Sequence, residues 1–387
     1  MRKITAFFLF LPFLFFYGCQ KDQSTFGEND KAKPQTDESQ YFTPSKEYLA
    51  ELATLTTPSV LRTRSACEWI EIPANSTDAL AKAVNDACVG GVIYLKAGNH
   101  TETKALTISK SVKIVGENGA VLRVKSTVSV FDAVNFNVAL NPAIHILNAP
   151  RILIQNLDIQ PIEGDGSTAI LVENSNESAV MRCKINRFQA AVMVEKSDRM
   201  AIMFNTVVGS SSWQTAPAPF GESIVIINGK SAYISDNEVS NAVFPIWPCD
   251  EWGTCERNYT HHSLLGIILC NVPAGIYKLP SGRAVGALLP TKSCKVRNNK
   301  TTDNITEGIL VIDGANNNII ENNEAARNGT YDIELTTDTY RFGFLTPLAY
   351  NNYVNVGSYP NIRIKDCGRN NTVIGGVKIN TVTDPCN

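Results

Sequence analysis

The sequence carries almost no excess charge. Its 387 residues include 35 Lys and Arg against 37 Asp and Glu, a formal net charge of −2 at pH 7. Proteins that bind nucleic acid present a strongly basic surface, so this balance predicts no nucleic-acid partner. Long apolar runs are scarce as well. Residues 6–17 form one, but a membrane-spanning helix needs about 20 residues. Helical periodicity is missing between the repeats described next, although 44% hydrophobic residues support a well-filled core.

The C-terminal two-thirds of the chain is built on a short repeat. An Ile-x-x-Asn-x-aliphatic pattern, or a close variant, occupies residues 202–207, 234–239, 296–301 and 320–325. Its asparagines are Asn205, Asn237, Asn299 and Asn323. The same frame at residues 154–159 and 180–185 has Leu157 and Cys183 in the asparagine slot. A second aliphatic phrase recurs before most copies, at residues 169–172, 191–194, 223–226 and 308–311. Each unit therefore contains two or three short strands.

Repeats of this length predict a solenoid of parallel strands, because each coil buries its apolar face only by stacking on the next. An asparagine at one internal position can hydrogen-bond the coils above and below it. In these features the sequence resembles the right-handed parallel β-helix superfamily of pectate-lyase-like proteins, over about residues 67–380. The resemblance implies an all-β fold, a single right-handed β-helix of roughly eight coils at residues 67–387.

The N-terminal edge of this domain has the pattern of a cap. Residues 76–88 predict a capped amphipathic helix, Gly90 and Gly91 end it, and residues 92–95 begin a strand. An open solenoid end would expose strand edges to pairing with other chains. We therefore expect residues 76–89 to cover that end.

The first residues predict export. Arg2 and Lys3 precede the apolar run, which ends at Gly18 and Cys19 and resembles a bacterial lipoprotein signal. We expect a signal peptide at residues 1–18, lipidation of Cys19 and a flexible tether through residue 66. Residues 20–23 resemble the export signal of Bacteroidetes surface lipoproteins, which implies anchoring to the outer membrane and exposure on the cell surface. We expect the protein to be a monomer. A simple secretory signal or an uncleaved anchor remains an alternative.

Ten cysteines in an exported chain predict disulfides, and lipidation of Cys19 would leave nine, an odd number. The repeat places Cys183 in an inward slot, so it is the expected free thiol. Proximity in sequence suggests four pairs: Cys67–Cys88, Cys249–Cys255, Cys270–Cys294 and Cys367–Cys386. Zinc held by Cys249, Cys255, His261 and His262 is a weaker alternative, because the spacing fits no structural zinc pattern.

Two segments that follow the asparagine phrase, residues 208–222 and 240–264, are interpreted as loops that project side by side. Flat aromatic side chains stack on sugar rings, so this region predicts a glycan-binding surface. The candidate contacts are Trp213, Phe220, Trp247, Trp252, Tyr259 and His261. The alternative is that Phe244 and Trp247 only pack their loop onto the coil.

Candidate catalytic groups lie in the same region and in the next insertion. Asp250 and Glu256 could act as acid and base in glycoside hydrolysis, or bind a calcium ion beside a uronate. Lys278 and Arg283, in residues 271–293, are the lyase candidates, because β-helix lyases use a cationic side chain next to the uronate carboxylate. The alternative is that these four side chains are ordinary solvated charges on surface loops.

Two functions therefore remain open. The first is a surface enzyme, a polysaccharide lyase or glycoside hydrolase. The second is a non-catalytic glycan-binding or structural protein. No intact pectate-lyase or pectin-esterase motif is present, which weakens the first, and a shared fold does not decide between them.

Overall fold

The computed structural model describes residues 33–55, 65–132, 134–135, 137–211, 221–271, 275–286, 290–336 and 347–379. They belong to one compact unit, Lys33–Asn387. Its helices are short: none in these ranges is long and apolar enough to cross a membrane. The signal peptide and Cys19 lie outside the described residues.

The chain winds through three faces of parallel strands that stack coil upon coil. Face 1 is a twelve-stranded sheet: Trp69–Ile72, Val92–Leu95, Lys113–Gly116, Leu153–Gln155, Ala179–Met181, Ala201–Met203, Tyr233–Ser235, Thr254–Glu256, Lys295–Arg297, Ile319–Glu321, Tyr353–Asn355 and Thr372–Ile374. Face 2 contains Gly98–Glu102, Ala120–Val124, Asp158–Pro161, Thr206–Gly209, Glu238–Ser240, Tyr259–His261, Lys300–Thr302 and Glu324–Ala326. Face 3 contains Leu106–Ile108, Pro142–Leu147, Gly166–Glu173, Glu222–Lys230, Phe244–Glu251, Ile267–Leu269, Ile309–Val311, Ile333–Leu335, Arg363–Asp366 and Val377–Lys378. The strand Lys184–Glu195 bends from face 2 into face 3.

The predicted asparagine ladder is confirmed inside the solenoid. Asn205 Nδ2 donates to Asn237 Oδ1 at 2.9 Å, and Asn299 Nδ2 donates to Asn323 Oδ1 at 3.0 Å. Between them lies a rung that the sequence pattern missed, Asn258, which links Asn237 to Asn299. Twelve stacked strands in face 1 also exceed the roughly eight coils expected, because the first coils and the coil of Asn258 do not carry the full repeat phrase.

The corners of each coil are made by single residues in the left-handed conformation. Phe204, Asp236 and Arg257, each just before a ladder asparagine, have φ of 57°, 56° and 55°. A left-handed residue bends the chain sharply from face 1 into face 2, and the next side chain points inward. This geometry puts Asn205, Asn237 and Asn258 at the same internal position of successive coils.

The N-terminal end is closed by the helix α1, Ala79–Asp86, as predicted. Leu80, Ala83 and Val84 are buried against the first coils. The expected side-chain cap does not form, and Glu102 of face 2 instead accepts hydrogen bonds from the amides of Leu80 and Ala81, at 2.7 and 3.3 Å. A disulfide between Cys67 and Cys88, with a Cα–Cα distance of 5.0 Å, ties the end of this cap to the first strand.

Part of the expected tether is folded. Residues 33–55, here called the N-terminal arm, include a 3₁₀ turn at Glu38–Gln40 and the helix Lys46–Thr54. Leu52 and Leu55 pack against Tyr94 and Met181 on the outer surface of face 1. The prediction of a flexible tether is therefore wrong for the N-terminal arm, because face 1 exposes an apolar surface that this segment covers.

Two of the predicted disulfides do not form. Cys249, Cys255, Cys270 and Cys294 are buried and belong to no disulfide, like Cys183, so Cys183 is not the single cysteine that stays a thiol. Cys255 points into the core in the slot that Ile234 fills one coil earlier, whereas Cys249 lies in the apolar layer outside face 3, so the two thiols cannot meet. Cys367 is disulfide-bonded, and its predicted partner Cys386 lies outside the described residues.

Candidate functional site

Residues 240–264 form a complete coil, and the interpretation of this segment as a projecting loop is wrong. Its strands are Phe244–Glu251 in face 3, Thr254–Glu256 in face 1 and Tyr259–His261 in face 2. The sequence pattern of these strands was not recognised, because Phe244–Glu251 contains two prolines and Cys255 stands where the previous coil has an isoleucine. The predicted site residues are therefore distributed over three faces and cannot act together.

Asp250 is a structural residue at the corner between faces 3 and 1. Its Oδ2 accepts from the amide of Ala232 at 3.2 Å, and its Oδ1 lies 3.2 Å from the Cys294 Sγ. Burial raises the pKa of Asp250 to about 7. A fully enclosed carboxyl cannot reach a polysaccharide or a calcium ion, so both predicted roles are wrong for Asp250.

Glu256 lies on the outer surface of face 1 and is fully paired. It accepts from the Tyr233 hydroxyl at 2.6 Å, from Arg297 Nε at 2.7 Å and from Arg257. Burial raises the pKa of Glu256, but the hydrogen bonds from Tyr233, Arg297 and Arg257 outweigh burial and hold it below the usual value. Glu256 is thus a fixed carboxylate, and the predicted acid–base pair with Asp250 is not formed.

The predicted aromatic surface is also dispersed. Trp247 is buried outside face 3, and Trp252 stands at a corner with its ring 5.8 Å from Tyr41 of the N-terminal arm. Tyr259 and His261 stack on face 2, with ring centroids 4.3 Å apart. Trp213 and Phe220 lie outside the described residues. The structure confirms the alternative that Trp247 only packs its segment onto the coil.

The zinc and calcium interpretations find no support in the described ranges, where no group of three His, Cys, Asp or Glu side chains could hold a metal. His261 Nδ1 lies 2.7 Å from His262 Nδ1, and His261 Nε2 lies 3.3 Å from Glu238 Oε1. Both histidines belong to the face 2 side of the coil, away from Cys249 and Cys255.

The middle of face 3 is closed by a small sheet, here called the cover sheet. Its strands are Phe131–Asp132, Asn137–Ala139, Tyr277–Lys278 and Ala284–Val285. Beneath it lies an apolar layer that includes Leu171, Met193, Val225 and Trp247. The Tyr277 hydroxyl also donates to Glu222 Oε1 at 3.0 Å. Among the described residues, the cover sheet therefore leaves the two ends of face 3 for polar chemistry.

At the N-terminal end of face 3, Arg283 joins two carboxylates on successive coils. Its Nη2 lies 2.9 Å from Glu173 Oε1 and 2.8 Å from Glu195 Oε2. His145 Nε2 lies 3.1 Å from the other oxygen of Glu173. Burial lowers the pKa of His145, although the hydrogen bond to Glu173 opposes the shift. Because Arg283 is engaged by both carboxylates, it clamps the cover sheet, and its predicted role as a lyase base is not supported. Lys278 is exposed on the cover sheet, apart from Asp250 and Glu256.

At the C-terminal end of face 3, Glu334 stands in an outward column between Leu310 and Lys365. Lys365 Nζ lies 3.8 Å from Glu334 Oε1 and 5.1 Å from the centre of the Tyr331 ring. Burial, together with the charge of Glu307 and a hydrogen bond to it, raises the pKa of Glu334 to about 7, against the opposing charge of Lys365. Only 13% of the Glu334 side chain is exposed. Near neutral pH this carboxyl can both hold and release a proton.

The repeat pattern of the sequence indicates the cluster of Glu173 and Glu195. Glu173 and Glu195 each follow a copy of the second aliphatic phrase at the same offset, so stacking of the coils places them side by side. Glu334 carries no comparable repeat signal, because its neighbours in the column are Leu310 and Lys365.

No family model matches the chain, and no curated protein matches it in sequence. Solved structures match it in fold. The endo-xylogalacturonan hydrolase of Aspergillus tubingensis matches with a TM-score of 0.51 and 11% identity, over 80% of this chain and 93% of that one. The ORF18 protein of Geobacillus virus E2 gives 0.48 and 11%, over 90% of this chain but only 64% of that one. In its stacked parallel strands, its internal ladder and its match to the hydrolase, the chain has the fold of the right-handed parallel β-helix superfamily.

Proposed function

We propose that the protein processes a polysaccharide at the C-terminal end of face 3, with Glu334 as the proton donor. The observation that carries this proposal is the Glu334 carboxyl, which has a pKa of about 7 and lies beside Glu307 and Lys365. A carboxylic acid that stays protonated near neutral pH can protonate the oxygen of a glycosidic bond as that bond breaks.

The effect of Glu307 on the pKa of Glu334 defines the role of Glu307. Hydrolases that use two carboxyls hold them about 5 Å or more apart, so that one can act as nucleophile or activate water. Glu307 instead contacts Glu334 through a hydrogen bond. Glu307 therefore helps to keep the proton on Glu334, and Glu334 acts as the single acid. Lys365 adds a cation at the same position, which favours an acidic sugar whose carboxylate it would attract.

A substrate panel tests this proposal. The purified protein is incubated with uronate and neutral polysaccharides, and unsaturated ends and reducing ends are measured separately. Unsaturated ends would identify a lyase, and reducing ends alone a hydrolase. Glu334→Gln should abolish product, whereas Glu324→Gln, which alters a face 2 carboxylate paired with Lys300 at 3.2 Å, should not. Full activity in Glu334→Gln would contradict the assigned role.

The second candidate is a non-catalytic glycan-binding or structural surface protein. The cover sheet favours it, because it closes the middle of face 3 with an apolar layer. Absence of product from every polysaccharide, together with retention on one glycan in affinity electrophoresis, would support this candidate. In either case the proposal includes export and anchoring through a lipid on Cys19, which depends on the sequence of residues 1–23.

A further inference from the structure

A cavity of about 460 Å³ lies between the N-terminal arm and the outer surface of face 1. The arm contributes one wall, with Phe42, Tyr48 and Leu52, and face 1 contributes the other, with Leu153 and Ala201. Sites for small molecules in proteins usually enclose about 300–1,000 Å³, so the space fits one or two sugar units. It is remote from Glu334, which lies on face 3.

The rim of the cavity is a ladder of charge. Arg151, Glu177 and Arg199 occupy the same corner position of three successive coils, with φ of 59°, 58° and 56°. Glu177 Oε2 accepts from Arg151 Nε at 2.8 Å, and its Oε1 lies 3.6 Å from Arg199 Nη1. Lys113 also lines the cavity. Lys113 is paired with Glu51 of the arm at 3.1 Å, so the excess positive charge at the rim comes from the two arginines that share Glu177.

The two guanidinium groups retain binding capacity. A guanidinium has five N–H donors, and a single carboxylate between two of them engages only a few. The Arg151 and Arg199 side chains are 76% and 57% exposed, so their remaining donors are open to a ligand. Tyr48 is half-buried beside them and offers a flat apolar surface. Cations beside an aromatic ring match a sugar that carries a carboxylate.

We propose that this cavity is a binding site for a uronic acid unit of an acidic glycan. The ligand carboxylate extends the Arg–Glu–Arg ladder, and its sugar ring packs against Tyr48. Because one wall is the N-terminal arm, a bound glycan is held between the arm and the solenoid. This site is independent of the acid chemistry proposed for Glu334, so either proposal can fail without the other.

Titration calorimetry with a uronate trisaccharide tests the site, with a neutral galactose trisaccharide and inorganic sulfate as comparisons. Arg199→Ala should weaken uronate binding about tenfold and Tyr48→Leu about fivefold, from one charged hydrogen bond and one stacking contact. Arg123→Ala, an exposed cation on face 2, is the matched control and should change nothing.

Three results would overturn the site: no binding of the uronate trisaccharide, equal affinity for the neutral one, or unchanged affinity in both Arg199→Ala and Tyr48→Leu. Sulfate that competes as well as the uronate would reveal a simple anion site and also contradict the proposal. Arg199→Lys, which keeps the charge, should recover part of the affinity, and unchanged circular dichroism in each variant shows that the fold persists.

Discussion

Asn258→Ala should destabilise the domain more than any exposed asparagine substitution. The Asn258 Oδ1 accepts from the amide of Asn237 at 3.1 Å and from its Nδ2 at 2.9 Å. Its own Nδ2 donates to the Ile234 carbonyl and to Asn299 Oδ1, both at 3.0 Å. Alanine removes all of these bonds at a site that is 1% exposed.

The size of the destabilisation follows from two donors of Asn237, its backbone N–H and its Nδ2, which lose their acceptor. A buried donor without an acceptor costs about 1–3 kcal/mol, so the loss is about 4 kcal/mol. Urea unfolding followed by circular dichroism should show a lower midpoint with an unchanged slope. Asn99→Ala, on an exposed face 2 position, is the control and should change the free energy of unfolding by less than about 0.5 kcal/mol. Equal midpoints for the two variants would refute the role of the ladder.

Three further predictions concern the clamp, the acid and the anchor. Arg283→Ala should lower stability by about 2 kcal/mol, because the buried carboxylates of Glu173 and Glu195 would both lose their guanidinium partner, whereas Lys278→Ala should have no measurable effect in the same urea titration. The wild type should lose stability as pH rises from about 4.5 to about 7, because folded Glu334 keeps its proton there and the unfolded chain does not; urea titrations across this range should show a smaller loss for Glu334→Gln, and an identical loss would contradict the raised pKa. Cys19→Ser should abolish labelling with a lipid precursor, and labelling that persists would show that the signal has been misread.

The sequence predicted the fold because the residues that define it face inward and repeat. Asn205 and Asn237 recur at one internal position, and each coil must present a similar side chain there for the coils to stack. The coil around Asn258 was hidden because Cys255 fills an isoleucine slot and the strand before it contains prolines. A repeat pattern defined by isoleucine misses a coil in which another apolar residue, here Cys255, fills the same position.

The candidate site was much harder to predict, because outward residues are not constrained by stacking. Arg283 meets Glu195 and Glu173 across 88 and 110 residues of sequence, and no local pattern indicates such a contact. The prediction of an aromatic glycan-binding surface was wrong for a similar reason. Trp247 belongs to an apolar layer that only the cover sheet creates, and nothing near it in the sequence shows that layer.

The rate of polysaccharide cleavage as a function of pH, measured for the wild type and for Glu334→Gln, tests the central claim most directly. If the Glu334 carboxyl donates the proton, the wild-type rate should fall as pH rises through about 7, and the variant should have no activity at any pH. A variant with the wild-type rate and the same pH profile would contradict the claim and exclude Glu334 as the acid.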